Sequence, residues 1–500
     1  MSWSARGKRW TYLTHRWLGI GGCVLMLLWF LSGMVMLFIG YPKLTPQERL
    51  AATAPLAASG LRGLDVLPPA LQARPESVAL RLLRGQPVYL VRAGKDAGAW
   101  SARDGRPLPA VDTATAAQSA AAFAGADAHA VAPVGEDRWT HSGALDPHRP
   151  LYRVEVGGPA PASLYVSSRT GEVVLDAPYA QQRWNYVGAW LHWVYMIRMQ
   201  PRDPVWTWTV IVLSALCSIA AFSGVLVGVW RWRFQGRYRS GAKTPYTEPW
   251  MRWHHLLGLM ASALVCTWIF SGLMSMNPAG LFSSERSGGA MDAYRGPPPS
   301  LDSAVAQPAH VLDALADAGF APVELQWRRM GGALYALAFD RTGEVRVVNA
   351  RLQIARQLPR VQVEQAARSL VAAPVLTATV IERTDAYYYA RAAEAMNGAA
   401  SRRLPALKLT YADPAATTAY IELATGDVVL VMGQRERVGR WLFNFLHSWD
   451  LPVMLGAAGT RQAILLLLSL GGTALCSTAL VIAWRRLRRK FGAAPQRRHG

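Results

Sequence analysis

Five hundred residues with 51% hydrophobic composition, 17% charged residues and 20 tryptophans exceed one ordinary domain and are too apolar for a soluble chain of this size. The net charge is +21, yet sixteen of those charges fall in three clusters beside apolar runs: residues 1–16 hold four basic side chains, 231–252 hold six against the single Glu248, and 485–500 hold seven. That placement is an orientation signal, and it excludes a nucleic-acid footprint, because no basic stripe with interleaved aromatics occurs in the polar stretches.

In chain order, four apolar runs are long enough to cross a bilayer: Trp17–Tyr41, Val205–Trp230, Leu256–Met276 and Gln462–Trp484. The basic clusters precede the first, separate the second from the third, and follow the fourth. The positive-inside rule therefore places both termini and the 231–252 loop in the cytoplasm and residues 42–204 and 277–461 outside it. The first run is too long for a signal-peptide core and lacks a small-x-small cleavage site, so it reads as a retained helix. All four cysteines, Cys23, Cys217, Cys266 and Cys476, lie inside the runs and read as packing residues, which leaves no disulfide framework or CxxC metal site in the outward segments. Those segments read as α+β. Leu151–Val156, Ser163–Val166 and a short strand after Thr170-Gly171 form a meander whose copy runs from Leu407 to Leu430. Segments 113–124 and 361–373 read as Ala-rich helices, and 45–75 and 283–310 as connectors.

The chain repeats. Residues 150–192 align without a gap on 405–447 at an offset of 255, matching Pro150 with Pro405, Tyr165 with Tyr420, Gly171 with Gly426 and His192 with His447. Residues 15–36 align on 254–275 at an offset of 239, matching His15 with His254, Gly19 with Gly258, Trp29 with Trp268, Ser32 with Ser271 and Gly33 with Gly272. At 100° per residue these helix matches share one face, which carries the histidine. Helix packing alone would also preserve such a face.

Of the ten histidines only four recur, His15 with His254 and His192 with His447. Two copies that each cross the membrane twice keep their orientation, so a pseudo-two-fold axis along the membrane normal would bring equivalent histidines face to face. His15 and His254 would then share one haem iron at the cytoplasmic end, and His192 and His447 another near the outer surface. Imidazole is a common axial ligand, and bis-imidazole ligation makes an electron carrier with no open position. The absence of CxxCH argues against covalent attachment. Trp184, Trp190, Trp193 and Tyr195 fit an interfacial belt better than a porphyrin wall, and Arg183, Arg198 and Arg202 are candidate propionate partners. His255 faces Arg16 in the alignment and sits off the shared face, although adjacent histidines are not separable by sequence. His129, His141, His148 and His310 lack partners. A metal at His141, Asp146 and His148 is not expected.

The HRWLG run at His15–Gly19, the pattern Tyr165-x5-Gly171-Glu172-Val173, LHW at Leu191–Trp193, HHLLG at His254–Gly258 and LHSWD at Leu446–Asp450 resemble the PepSY-associated transmembrane family over nearly the whole chain. The resemblance implies a membrane α-helical fold with four transmembrane helices and internal duplication, carrying two small α+β PepSY-like outward domains. Its expected layout is 1–41 (cytoplasmic end and first helix), 42–182 (first outward domain), 183–240 (interfacial helix, second helix, start of the basic loop), 241–276 (rest of the loop and third helix), 277–436 (second outward domain) and 437–500 (interfacial helix, fourth helix and basic tail). That family includes bacterial inner-membrane reductases of ferric siderophores with two b-type haems. It also includes members of unknown activity, and the PepSY domain is named for an inhibitory role toward peptidases.

No Gly-rich dinucleotide fingerprint, P-loop or HExxH occurs, so electrons would come from a cytoplasmic or membrane donor, a flavoprotein or a quinol. The expected function is electron transfer through two haem b groups held by His15, His254, His192 and His447 to a ferric siderophore or other ferric chelate. A haem protein with another acceptor, and a non-redox membrane-anchored peptide-binding or protease-regulatory protein, stand as alternatives. Membrane lipid is the expected surround and nucleic acid is not an expected partner.

Overall fold

The computed structural model describes residues 3–93, 96–199, 203–283, 289–393, 395–396, 398 and 402–491. The chain divides into two compact units. One comprises Met1–Gly40, Trp184–Ser283 and Arg435–Gly500, and the other Tyr41–Arg183 and Ser284–Gln434.

The first unit is helical. Ala5–Met36, Pro204–Arg231 and Ala458–Phe491 are each long and apolar enough to cross a membrane. Pro204 occupies the first turn of its helix, where its missing N–H costs nothing, and Asp203 caps that turn by accepting from the backbone N–H groups of Val205 (2.9 Å) and Trp206 (3.1 Å). Arg488, Arg489 and Lys490 end the last helix, where cations oppose the dipole. Val212, Leu216, Ile219 and Leu226 face outward along one stripe of Pro204–Arg231, while Ser214, Cys217, Ser218 and Ser223 are buried against neighbouring helices. Small residues at the contact are what helix association in lipid requires, because van der Waals approach replaces the hydrophobic drive. Gly472 shows how close that approach is: a Cβ there would lie 2.3 Å from the ring of buried Phe30. All four cysteines are buried and unbonded, as packing residues should be.

The third apolar run is not one continuous helix. It consists of Pro249–Met260 and Ser262–Ser275, bent by 72°. The break falls at Ala261 (φ −91°, ψ 4°), and Ser262 Oγ donates to the Leu259 carbonyl at 2.9 Å, a side-chain insertion of the kind that kinks helices.

The second unit holds fifteen strands among the described residues. They are β1 (Val78–Leu83), β2 (Gln86–Ala93), β3 (Asp96–Ser101), β4 (Ala128–Val134), β5 (Leu151–Val156), β6 (Ala162–Ser167), β7 (Val173–Pro178), β8 (Glu324–Met330), β9 (Ala333–Phe339), β10 (Val345–Val348), β11 (Ile354–Ala355), β12 (Val375–Ile381), β13 (Ala406–Tyr411), β14 (Thr418–Glu422) and β15 (Val428–Met432). The meanders expected from sequence are β5–β7 and β13–β15, each extended by one further antiparallel strand into the four-stranded sheets β4-β5-β6-β7 and β12-β13-β14-β15. Both carry a bulge at the same place, between Tyr165 and Val166 and between Tyr420 and Ile421. The helix Thr113–Ala124 stands where the Ala-rich pattern placed it, whereas the second Ala-rich helix is shorter, Arg360–Ala367.

The expectation of two outward domains needs correction. β1 pairs antiparallel with β8 through Ala79↔Gln326, Leu80↔Leu325 and Arg81↔Glu324, so strands from both segments form one seven-stranded sheet, β11-β10-β9-β8-β1-β2-β3. Leu80, Leu325 and Trp327 are fully buried beneath it, and Trp327 Nε1 donates to the Val305 carbonyl at 2.9 Å. Burial of this shared core stabilises the two segments as one unit.

Charges are buried at the same junction. Arg81 lies 3.1 Å from Glu172 and 3.3 Å from Glu324, Arg49 also pairs with Glu324, and Arg92 reaches Glu172 at 3.2 Å. Burial alone would raise both carboxyls. The guanidinium charges of Arg81 and Arg92 at Glu172, and of Arg81 and Arg49 at Glu324, outweigh it and hold both below the usual carboxylate range.

Candidate functional site

The four recurring histidines all lie in the helical unit, and they meet in two pairs. His15 and His254 have ring centroids 6.2 Å apart, and His192 and His447 6.1 Å apart. Each pair joins one residue from each half of the chain.

The way each ring is held fixes its tautomer. His192 Nδ1 lies 3.0 Å from Ser32 Oγ, and that hydroxyl hydrogen is already given to the Leu28 carbonyl at 2.6 Å. The serine oxygen must therefore accept from Nδ1–H. His447 repeats the arrangement on Ser271, 3.0 Å away, whose hydroxyl donates to the Trp268 carbonyl. His254 Nδ1 meets Thr478 Oγ1 at 3.1 Å while that hydroxyl donates to Leu475, and His15 Nδ1 donates directly to the Ala220 carbonyl at 2.9 Å. Each of the four imidazoles thus turns its Nδ1 toward a hydroxyl or carbonyl oxygen. A partner on the far nitrogen is the usual device for orienting a metal-bound histidine.

The local backbone shapes the second pair. A π-helical segment, Tyr186–Trp190, precedes His192, and another, Arg440–Phe445, precedes His447. Such segments re-aim side chains and concentrate at functional sites. Two residues after each histidine the chain turns left-handed, at Val194 (φ 55°) and Trp449 (φ 51°). A β-branched or bulky residue with positive φ is strained and persists only where its surroundings enforce it. The surroundings differ in kind between the halves. Asn185 Nδ2 donates to the Gly40 carbonyl at 2.8 Å, whereas buried Arg440 donates to the Asp450 carbonyl at 3.1 Å and lies 3.3 Å from its carboxylate.

His255 plays another part. Its Nε2 donates to the Gly228 carbonyl at 2.9 Å, its Nδ1 accepts from Thr244 at 2.7 Å, and Trp232 and Tyr246 flank the ring. With both nitrogens engaged it ties the basic loop to two helices and is no alternative to His254. Arg198 lies over the rings of Tyr195 and Trp206, Trp184 is exposed, and Arg202 lies outside the described residues. His148 is buried on Ser167 and His141 pairs with Glu136. Among the described residues no cluster of three or more His, Cys, Asp or Glu is arranged to hold a metal.

Sequence reasoning missed the supports. Ser32 and Ser271 stood among the repeated positions without a role, while Thr478 and the Ala220 carbonyl gave no signal. Gly224 is a further omission: a Cβ there would lie 2.6 Å from the His15 ring, so only glycine admits the imidazole at that height.

A family model for the PepSY-associated TM region matches residues 12–486. The chain belongs to this family. The match includes all four paired histidines and both four-stranded sheets and reaches into every long apolar helix of this PepSY-associated membrane protein. No curated protein matches the chain.

Proposed function

We propose that this PepSY-associated protein carries electrons across a bacterial inner membrane through two b-type haems, held by His15 with His254 and by His192 with His447, and reduces a ferric siderophore or other ferric chelate on the outward side. In this reading the bent helix pair is a fourth span, the halves arose by duplication, both termini are cytoplasmic, and a flavoprotein or quinol is the donor.

The observation that carries it is the spacing of the paired rings. Two imidazoles sharing one metal ion at bonds of about 2 Å would have ring centres about 6.2 Å apart, and both pairs are compatible with that. The support for this reading is that the same spacing and the same Nδ1 anchoring recur in both pairs, each built from one histidine of either half. A haem supplies a one-electron carrier when bound. The protein's part would then be to hold the imidazoles of His15, His254, His192 and His447 in fixed orientation within an apolar bundle. Recognition of the acceptor therefore falls to residues other than the ligands.

Purified protein, reduced chemically in detergent, should be reoxidised by a ferric hydroxamate faster than by air, with ferrous iron trapped by a chelator. His447→Ala should lose most of that fast phase. Equal rates in both proteins, or no ferrous product from any chelate tried, would overturn the assignment of acceptor. A finer test concerns Gly224. Gly224→Ala should displace the His15 ring and perturb the low-spin spectrum of one haem only, while Gly33→Ala, whose Cβ would lie 3.7 Å from His192, should change little. Identical spectra for Gly224→Ala and wild type would contradict the close approach.

A further inference from the structure

One end of the helical unit carries positive charge with almost no internal counter-charge. Residues 3–16, 231–252 and 485–491 hold four, six and five basic side chains, and across 3–36, 204–275 and 458–491 Glu248 is the only acidic residue. Glu248 is spent: it pairs with Arg485 at 2.8 Å and accepts from the Met251 N–H at 2.8 Å. Ring contacts draw the first helix to the second at this end, with Lys8 over the Trp230 ring at 5.7 Å and Arg231 over the Tyr12 ring at 5.1 Å.

The cations here are not all alike. Arg233 gives a guanidinium N–H to the Arg237 carbonyl at 2.6 Å, and Arg237 gives one to the Gly241 carbonyl at 3.1 Å, so both serve the fold of the loop. Lys8, Arg16 and Arg231 have no hydrogen-bond acceptor among the described residues; Lys8 and Arg231 meet only ring faces. Arg16 and Arg231 both act on the Tyr246 hydroxyl, and Tyr12 stands beside it. Tyr246 is a fixed point, because its ring packs edge-on against His255 at 5.4 Å, and His255 is pinned by Thr244 and the Gly228 carbonyl. Each of the two arginines is also next in sequence to an exposed tryptophan, Trp17 at 43% and Trp230 at 40%. Exposed tryptophans on membrane helices sit at headgroup level, which is the depth of lipid phosphate.

We infer that this end of the helical unit binds an anionic phospholipid, its phosphate set among Arg16, Arg231 and the Tyr246 hydroxyl. Charge complementarity selects the partner: a zwitterionic lipid brings its own cation into a cluster that has no carboxylate to receive it, whereas an anionic lipid brings only the missing charge. Phosphate oxygens also suit the guanidinium fork. The exposed tryptophans favour a lipid over a soluble phosphate, since they hold the site at the boundary where acyl chains begin. The inference rests on membrane embedding of the helices and does not depend on the haem reading.

Native mass spectrometry of the delipidated full chain in neutral detergent, with phosphatidylglycerol and phosphatidylcholine offered together, tests it. The wild type should retain phosphatidylglycerol over phosphatidylcholine by about tenfold or more. Arg16→Gln combined with Arg231→Gln should abolish that preference, and Tyr246→Phe should weaken it about threefold. Arg486→Gln combined with Arg489→Gln, which removes the same charge from exposed positions on the last helix, should leave it unchanged. Unfolding temperatures near wild type will show that the variants are folded. Equal retention of the two lipids by the wild type, an unchanged preference in the Arg16/Arg231 variant, an equal loss in the Arg486/Arg489 variant, or displacement of the lipid by inorganic phosphate at equal concentration would each overturn the proposal.

Discussion

His15→Ala and His254→Ala should each remove the same haem, and His192→Ala and His447→Ala should each remove the other. The structure pairs these residues across halves of the chain, with centroids 6.2 and 6.1 Å apart, so each variant would leave a haem held there with one histidine in place of two. The expected loss is about half the b-type absorbance per single variant, and no further loss when both members of one pair are changed. Changing one member of each pair should leave no haem. His255→Ala should keep both, because its ring nitrogens are spent on Thr244 and Gly228. If His15→Ala and His192→Ala depleted one common haem, the ligands would couple within a half and the pairing would be wrong.

Glu324→Ala should be the most disruptive single change in the sheet-bearing unit. It removes the carboxylate shared by Arg49 and Arg81 at the strand pair that joins the two halves of the seven-stranded sheet. Breaking a buried pair from one side leaves an uncompensated charge and costs about 3–5 kcal/mol. Amides of β1 and β8 should then exchange about two orders of magnitude faster or more, with the helical unit unaffected. Pairing the change with Arg81→Met should recover part of the loss; no recovery would show that the ion pair is not what the substitution breaks.

The same network sets a pH window. Glu172 and Glu324 have folded-state carboxyls below the ordinary value, so the folded state resists protonation more than the unfolded one. Their stabilisation is fully present above the unfolded carboxylate range, about 4.3, and is lost as pH falls through the folded values. Protection of β1 and β8 should accordingly be flat above about pH 5 and decline below it.

Recurrence at fixed offsets is what made the histidines legible. Four of ten recur at fixed offsets, and a repeat converts one chain into its own comparison, so His15, His254, His192 and His447 stood apart from His129 or His310 before any geometry was known. The meander from Leu151 was legible because β5 and β6 are bounded by glycine and proline turns. The seven-stranded sheet was not. β1 and β8 alternate, with Leu80 and Leu325 in one phase and Arg81 and Glu324 in the other, but their pairing spans more than 240 residues of sequence, beyond the reach of any local pattern. The bend at Ala261 was equally hidden, since neither proline nor a glycine pair marks it. Backbone acceptors such as the Ala220 carbonyl carry no sequence signal at all, and Gly224 is one more small residue on a helix rich in them.

The most direct measurement is pigment analysis of the purified wild-type protein, with a reduced-minus-oxidised spectrum and protein quantified on the same sample. The expected result is two non-covalent b-type haems per chain, both low-spin in the oxidised state as bis-imidazole ligation requires. A colourless protein after expression with ample haem supply, or one haem per chain with a high-spin signature, would contradict the assignment of the two histidine pairs.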